Sequence, residues 1–445
     1  MNARPAETAA KPRLSPWRFV VVFGMVSLLA DAVYEGARSI TGPLLASFGA
    51  SAALVGLVTG VGEAAALVLR LGSGPLADRT GRFWALSIAG YALTVASVPL
   101  LGVTGVLWLA CALVIAERVG KAVRSPAKDT LLSHATSTLG RGRGFAVHEA
   151  MDQVGAFAGP LLVAAIIAAT GSYRPALLWL AVPGVLVLAL LLWLRAKVPD
   201  PAAYEPAAPS TAPSAAPSAI SGRIAHSAGS KRAISGLIAV GGGAAGGGAA
   251  GGGGAAGGGG AASAAGLPRA FWGYAAFSAL TLSGFATFGV LSFHLATRHL
   301  VPVAAIPLVY AAAMGVDALA ALATGYAYDR KGRRVLVALP VLATVVPVLA
   351  FAGSPAVAVL GSLVWGAAVG VQESTMRAAV ADLVPAARRA TGYGIFAAAY
   401  GGAAVVGGVL AGTLYSRSVP ALIVVTAAIQ AASLALLLGT RPPRR

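Results

Sequence analysis

Charge is scarce in this chain. Only 11% of its 445 residues are Asp, Glu, Lys or Arg, and just 15 of them are acidic. A soluble domain carries about 25% charged residues, so the polar surface a water-soluble protein needs is missing. Cysteine is nearly absent too. Cys111 stands alone inside an apolar run, which excludes an intramolecular disulfide and a cysteine-based metal site. No G-x-x-x-x-G-K-[ST] loop is present, against an ATP-driven pump, and no H-E-x-x-H hydrolase signature occurs. The glycine tract from Gly241 lacks the lysine of a phosphate loop. What remains is hydrophobic: 57% of the positions. The net charge of +18 does not indicate nucleic acid, because the basic residues sit in short clusters between long apolar runs.

A membrane-spanning helix needs about 20 mostly apolar residues. Such runs fall near 17–46, 52–73, 84–104, 106–127, 144–170 and 174–195, and again near 270–297, 303–327, 335–353, 355–381, 391–415 and 418–440. The expectation is an all-α membrane protein of twelve transmembrane helices in two pseudo-symmetric six-helix bundles. The first run follows a basic stretch as a signal peptide would. It is too long for one and carries Asp31 and Glu35, so it reads as a retained span. With a cytoplasmic N-terminus, the outer loops hold only Arg174, Arg298 and Arg417, while most other basic residues fall on inner loops and tails. Lys and Arg concentrate on the cytoplasmic side, so both termini are placed there, in a bacterial inner membrane.

Three segments follow: a first half over 1–195, a linker over 196–268 and a second half over 269–445. The linker is Pro/Ala/Ser-rich from Pro199 to Ser218 and Gly/Ala-only from Gly241 to Ala262, and reads as a disordered cytoplasmic tether.

The halves repeat one another. After the second span comes Gly74-Pro-Leu-Ala-Asp78-Arg79-Thr-Gly81-Arg82, and after the eighth Gly325-Tyr-Ala-Tyr-Asp329-Arg330-Lys-Gly332-Arg333. Arg124 precedes Asp129 as Arg377 precedes Asp382, and Gly144-Phe145 matches Gly392-Tyr393. Those offsets are 251, 253 and 248 residues, and parallel six-helix repeats belong to one transporter architecture.

The paired G-x-x-x-D-R-x-G-R loops resemble the loop motif of the major facilitator superfamily, and the resemblance extends over nearly the whole chain. Helix 4, from Glu117-Arg118-Val-Gly120-Lys121 to Asp129, is similar to poorly characterised bacterial permeases of that superfamily. Phe83 stands where the family has a second basic residue. The resemblance implies a secondary transporter, not an enzyme, and makes the loops a conformational latch: Gly74, Asp78, Arg79, Gly81, Arg82 and Asp129, with Gly325, Asp329, Arg330, Gly332 and Arg333. Asp78 is expected near the N-terminus of helix 3, where the helix dipole favours a carboxylate, with Arg79 and Arg82 reaching carboxylates such as Asp129.

Ionisable residues inside spans are costly and face a bundle interior. Asp31, Glu35 and Arg38 share one face of helix 1 at spacings of four and three. Helix 2 has Glu63 and Arg70, and a static pair between them is as good a reading as a functional one. Helix 4 has a stripe of Glu117, Lys121, Arg124 and Lys128, with Arg118 about 100° away. Arg124 and Lys128 read as snorkelling cations at the interface. Helix 5 adds His148, Glu149 and Asp152. The proton-coupling set is Asp31, Glu35, Arg38, Glu63, Arg118, Lys121 and Asp152, with Asp31 and Glu35 as carriers and Arg38 and Arg118 as their partners. Fixed ion pairs are the plainer alternative.

Gly155-x-x-x-Gly159-Pro160 on helix 5 resembles part of an exporter motif, and also an ordinary packing motif. Tyr34, His294, Asp317, Gln372 and Glu373 are cavity candidates. An apolar wall from the second half would favour export; a ring of His294, Asp317 and Gln372 would favour uptake. The expected function is proton-coupled efflux of small organic compounds, with uptake of a polar solute by proton symport as the alternative. The expected partners are a small-molecule substrate, the proton and the lipid bilayer. Neither a cofactor nor a metal is expected, nor nucleic acid, and the protein is expected to be a monomer.

Overall fold

The computed structural model describes residues 14–137, 139–205, 267–385 and 388–439. Its spanning helices are α1 (Pro16–Ser47), α2 (Ala52–Thr80), α3 (Phe83–Val103), α4 (Leu107–Thr136), α5 (Arg141–Thr170) and α6 (Tyr173–Lys197). The second set is α7 (Arg269–Thr297), α8 (Ile306–Lys331), α9 (Ala338–Ala350), α10 (Pro355–Leu383), α11 (Arg389–Arg417) and α12 (Val419–Gly439). In hydrocarbon every backbone N–H and C=O must find an internal partner, which leaves helices as the spanning form here. By length and hydropathy ten stretches qualify as spans among the described residues, and two features bring the count to twelve. One stretch, Val303–Ala350, holds two crossings, because a 3-10 turn at Gly332–Val337 separates α8 from α9. The thirty-residue α4 fails the apolar criterion only through its charges.

The helices start and stop where local chemistry says they should. Ser15 accepts from Arg18 N at 3.4 Å ahead of Pro16, and Ser51 accepts from Leu54 N at 3.2 Å to open α2. Gly81 (φ 62°, ψ 7°) ends α2 in the left-handed helical conformation and Gly332 (φ 58°, ψ -146°) ends α8, so both copies of the loop motif stop on a positive-φ glycine but with different ψ. α7 is interrupted between Ser283 and Phe288. There the indole N–H of Trp365 donates to Ala286 O at 2.9 Å, restoring a backbone partner lost at the break.

The first six helices and the last six each hold their own buried core. They meet through residues without side chains. On α2 and α11, Gly56 faces Gly408 and Ala52 faces Gly412 so closely that a β-carbon on any of these three glycines would strike the opposing carbonyl. Gly42 on α1 meets Gly289 on α7 in the same way. Thr59 and Thr287 share a hydrogen bond of 2.8 Å beside these contacts. Gly42, Gly56 and Thr59 lie toward the ends of α1 and α2 that are remote from the motif loop at Gly81.

The expected tether over 196–268 lies mostly outside the described residues. Its first part packs against the first bundle: Pro201–Tyr204 is a 3-10 turn, Tyr204 donates to Leu14 O at 2.8 Å, and Glu205 meets His134 at 2.9 Å. Burial pushes the Tyr204 phenol up to about 12, so it stays a neutral donor.

Candidate functional site

Two charge clusters are buried in the first half, divided by Tyr34. In the upper cluster, toward the α1–α2 turn, Arg38 pairs with Glu63 at 2.6 Å and with Glu35 at 3.5 Å, one turn earlier on α1. Arg118 of α4 reaches Glu63 at 3.8 Å and Glu117 at 3.1 Å. Glu35 is fully buried, and its other oxygen accepts the phenol O–H of Tyr310 from α8. That hydrogen bond crosses from one half to the other. Asp317, about two turns further along the same face of α8, is 2% exposed, and one of its carboxylate oxygens has no hydrogen-bond donor. A cavity opens beside this cluster, lined by Tyr34, Arg38, Thr41, Thr59, Glu63 and Arg118 and closed by Thr287, Phe288 and Gly289 of α7.

The lower cluster joins α1, α3, α4 and α5. Lys121 donates to Tyr34 OH at 3.1 Å and lies 4.2 Å from the ring centroid. Arg124 stacks 4.4 Å from the Tyr91 ring and 5.5 Å from that of Tyr34. Lys128 contacts His148 at 3.0 Å and Asp152 at 3.6 Å, and Ser27 bridges His148 to Tyr91. Asp31 is buried among Asp152, Arg124, Lys121 and Lys128.

This arrangement redraws the pairings expected from spacing. Glu63 is taken by Arg38 and Arg118, while Arg70 donates to Ser125 Oγ at 3.2 Å, so the Glu63–Arg70 pair does not form. The reason is a break in α2 at Leu69, which turns Arg70 toward α4. Arg38 serves Glu35 as expected, whereas Asp31 belongs to the lower cluster and not with Arg38 and Arg118. Arg124 and Lys128 do not snorkel. They are 2% and 6% exposed, because α4 runs through the middle of its half with α1, α2 and α3 against it.

The motif loops also differ from expectation. Asp78 lies in the last turn of α2, and α3 starts at Phe83 with no side-chain cap. Asp78, Arg79 and Arg82 are exposed, and neither arginine pairs with Asp129 in this conformation. In the second copy Arg330 lies 4.0 Å from the Tyr326 ring, and Tyr328 donates to Asp382 at 3.0 Å. Asp329 is exposed, while Gly325 and Arg333 are half-buried. His294 is packed inside the second half: its nitrogens contact Tyr415 OH at 2.9 Å and Ala352 O at 3.2 Å, and its ring lies against Phe351. Gln372 hydrogen-bonds Tyr400, and Glu373 lies next to it on α10, half-buried. No ring of His294, Asp317 and Gln372 therefore forms. The wall that α7, α8 and α10 present near Glu35 is aromatic instead, with Phe288 4.6 Å from Tyr310 and 5.3 Å from Trp365 between ring centroids. Gly155 and Gly159 press on the backbone of α1 at Leu28 and Ala32, as helix packing requires. Spacing along one helix missed Tyr91, and it could not show that Tyr310 bonds Glu35, since each acts from another helix.

A profile of the Major Facilitator Superfamily matches residues 23–295 and again 274–445. The chain belongs to the major facilitator superfamily. As a superfamily member it is a multi-pass membrane transporter, not an enzyme. Among its relatives are the uncharacterized protein Rv2265 of Mycobacterium tuberculosis (strain ATCC 25618 / H37Rv) and Mb2288 of Mycobacterium bovis. Each is 53% identical, over 98% of this chain and 96% of its own. Solved structures of the same fold include a point mutant of the nucleoside transporter NupG, with TM-score 0.69, 12% identity and coverage of 95% of this chain and 100% of that one. A POT family transporter in complex with 5-aminolevulinic acid aligns with TM-score 0.68, at 12% identity over 95% of each chain. A bacterial homolog of the human lysosomal transporter Spinster gives 0.60, at 13% identity over 97% and 95%.

Proposed function

We propose that this transporter works by alternating access and couples the export of small organic compounds to the inward movement of protons. The observation that carries the reading is Glu35. It is a buried carboxylate held on one side by Arg38 of its own half and on the other by Tyr310 of the opposite half. When the halves rock about the α2–α11 seam, the Tyr310 bond is the one that breaks, and Glu35 changes its partner set. A buried carboxylate that gains or loses a partner changes its affinity for protons, which is what coupling requires. Asp31, in the lower cluster, is the second carrier. Arg38, Glu63, Arg118, Lys121 and Asp152 set the field around the two.

The aromatic wall of Phe288, Tyr310 and Trp365 supports an organic substrate with an apolar part, and export follows from the resemblance of α5 to exporter sequences. The exposed arginines of the two motif loops are free to latch onto carboxylates in the alternate conformation. The protein is taken to be a monomer of the bacterial inner membrane with both termini cytoplasmic, its bundles at 1–195 and 269–445 tethered through 196–268. Uptake of a polar solute is the second reading, favoured by the threonines and ion pairs that line the cavity at Thr41, Thr59, Glu63 and Arg118. Inverted membrane vesicles with an imposed pH gradient separate the two. Accumulation inside inverted vesicles is the expected result, and accumulation only in right-side-out vesicles would overturn export.

A further inference from the structure

Of the three cations in the lower cluster, two have polar partners within reach. Lys128 has Asp152 and His148, and Lys121 has the Tyr34 hydroxyl. Arg124 differs from both. It is 2% exposed, its Nε has no hydrogen-bond acceptor, and among the described residues no carboxylate oxygen lies within 4 Å of its guanidinium. The carboxylates that act on it, Asp31 and Asp152, do so from farther away.

Its surroundings are built all the same. The guanidinium carbon lies over the Tyr91 and Tyr34 rings, 4.4 and 5.5 Å from their centroids. Ring faces stabilise the charge but accept none of the five N–H donors, which radiate in the guanidinium plane. Arg124 is thus held over two rings with its buried Nε–H unspent. Arg38, half-buried, and Arg118, buried, in the same bundle each have a carboxylate within 4 Å, as an arginine kept only for packing needs. The planar fork of a guanidinium matches a carboxylate or a related oxyanion through two parallel hydrogen bonds.

Tyr34 connects this position to the cavity. Its ring meets Lys121 and Arg124, and it also lines the space that Phe288 closes. A ligand whose charged head lies at Arg124 would have its apolar part along Tyr34, toward the aromatic wall of the second half. We propose that Arg124, with Lys121 beside it, receives the anionic group of the transported compound, so that the substrate is an amphipathic organic anion. The assignment rests on the reading of the chain as a carrier of small organic compounds and names their chemical class.

Matched acids and amides test it on the full-length protein in detergent: benzoate against benzamide, and octanoate against octanamide, with thermal unfolding as the readout. At least one acid raises the unfolding temperature and its amide does not. Arg124→Gln weakens that acid by about tenfold or more, the loss of one charge-assisted pair, while the variant still elutes as a single species. Should Arg124→Gln fail to fold, Arg124→Lys keeps the charge and loses the fork, and it binds the acid more weakly than the native protein. The proposal is overturned if Arg124→Gln binds the acid with native affinity, if acid and amide stabilise alike, or if neither acid stabilises the protein. Proteoliposomes keep the two readings apart. An acid that binds through Arg124 and is never carried sinks the transport reading and leaves the site; an amide that is carried while its acid is not does the reverse.

Discussion

The first six helices and the last six share a topology and a loop motif, yet they spend polarity differently. The first half buries Asp31, Glu35, Glu117, Arg118, Lys121, Arg124, Lys128 and Asp152. The second buries Asp317 as its acidic group near the seam and fills the facing surface with Phe288, Tyr310 and Trp365. Separating a buried ion pair leaves uncompensated charge and costs about 3–5 kcal/mol. With every ion pair among Arg38, Glu63, Arg118 and Glu117 inside one rigid half, the halves can rock without opening any of them. Two hydrogen bonds seen to cross the seam among the described residues are single ones without an ion pair, Thr59–Thr287 and Tyr310–Glu35. Concentrating charge on one side keeps the moving interface inexpensive to open, and leaves one carboxylate to register the motion.

That contrast can be broken at the seam first. Gly56→Leu or Gly408→Leu places a side chain where the opposing carbonyl stands, so transport should fall to the level of empty membranes with the protein still inserted. Normal uptake or release by either variant would show that the halves do not meet backbone to backbone. Next in size is the register itself. Glu35→Gln keeps the hydrogen-bonding shape and removes the titratable proton, so proton-driven accumulation should vanish while solute exchange without a gradient survives. Asp31→Asn is expected to do the same more mildly, and full coupling in both variants would rule the two carboxylates out as carriers.

Tyr310→Phe sharpens the comparison because it deletes the crossing bond alone. A hydrogen bond to a charged group contributes about 1.5–3 kcal/mol, so the balance between conformations should move about 10–100-fold, readable as a changed ratio of solute affinities on the two faces. Asp78→Asn, in the first motif loop, is expected to slow transport several-fold without reducing the folded protein in the membrane; an unaltered rate would make the loop a turn and nothing more. His294→Ala should do least to function. It removes contacts to Tyr415 and Ala352 in the second half, for a loss of about 1–3 kcal/mol in stability and no change in transport per molecule.

Much of the fold was legible because its signals run along the chain. Apolar run length marked the spans, and two glycines at equivalent loop positions marked the repeat, both of which end their helices with positive φ. The charges were legible as a set and not as pairs. Four-residue spacing put Asp31 and Glu35 on one face of α1, and yet they lie in different clusters, because Tyr34 and Lys121 intervene. Arg124 and Lys128 were misread as interface cations, since nothing in their own sequence tells that α1, α2 and α3 crowd around α4. His294 looked like a cavity residue because histidine is polar; its hydrogen bonds to α11 and to Ala352 are contacts no local pattern encodes.

By itself, then, the sequence determined the solvent this protein lives in, the number of its spans, the doubling of its architecture and the inventory of buried charge. These follow from the cost of placing polar groups in hydrocarbon, which each segment meets separately. Only the tertiary structure decided who neutralises whom: Glu63 with Arg38 and Arg118, Glu35 with Tyr310 from the other half, and Arg124 with aromatic faces in place of an anion. Electrostatic partners are chosen by distances of a few ångströms between helices far apart in the chain, and that information exists only once the helices have packed.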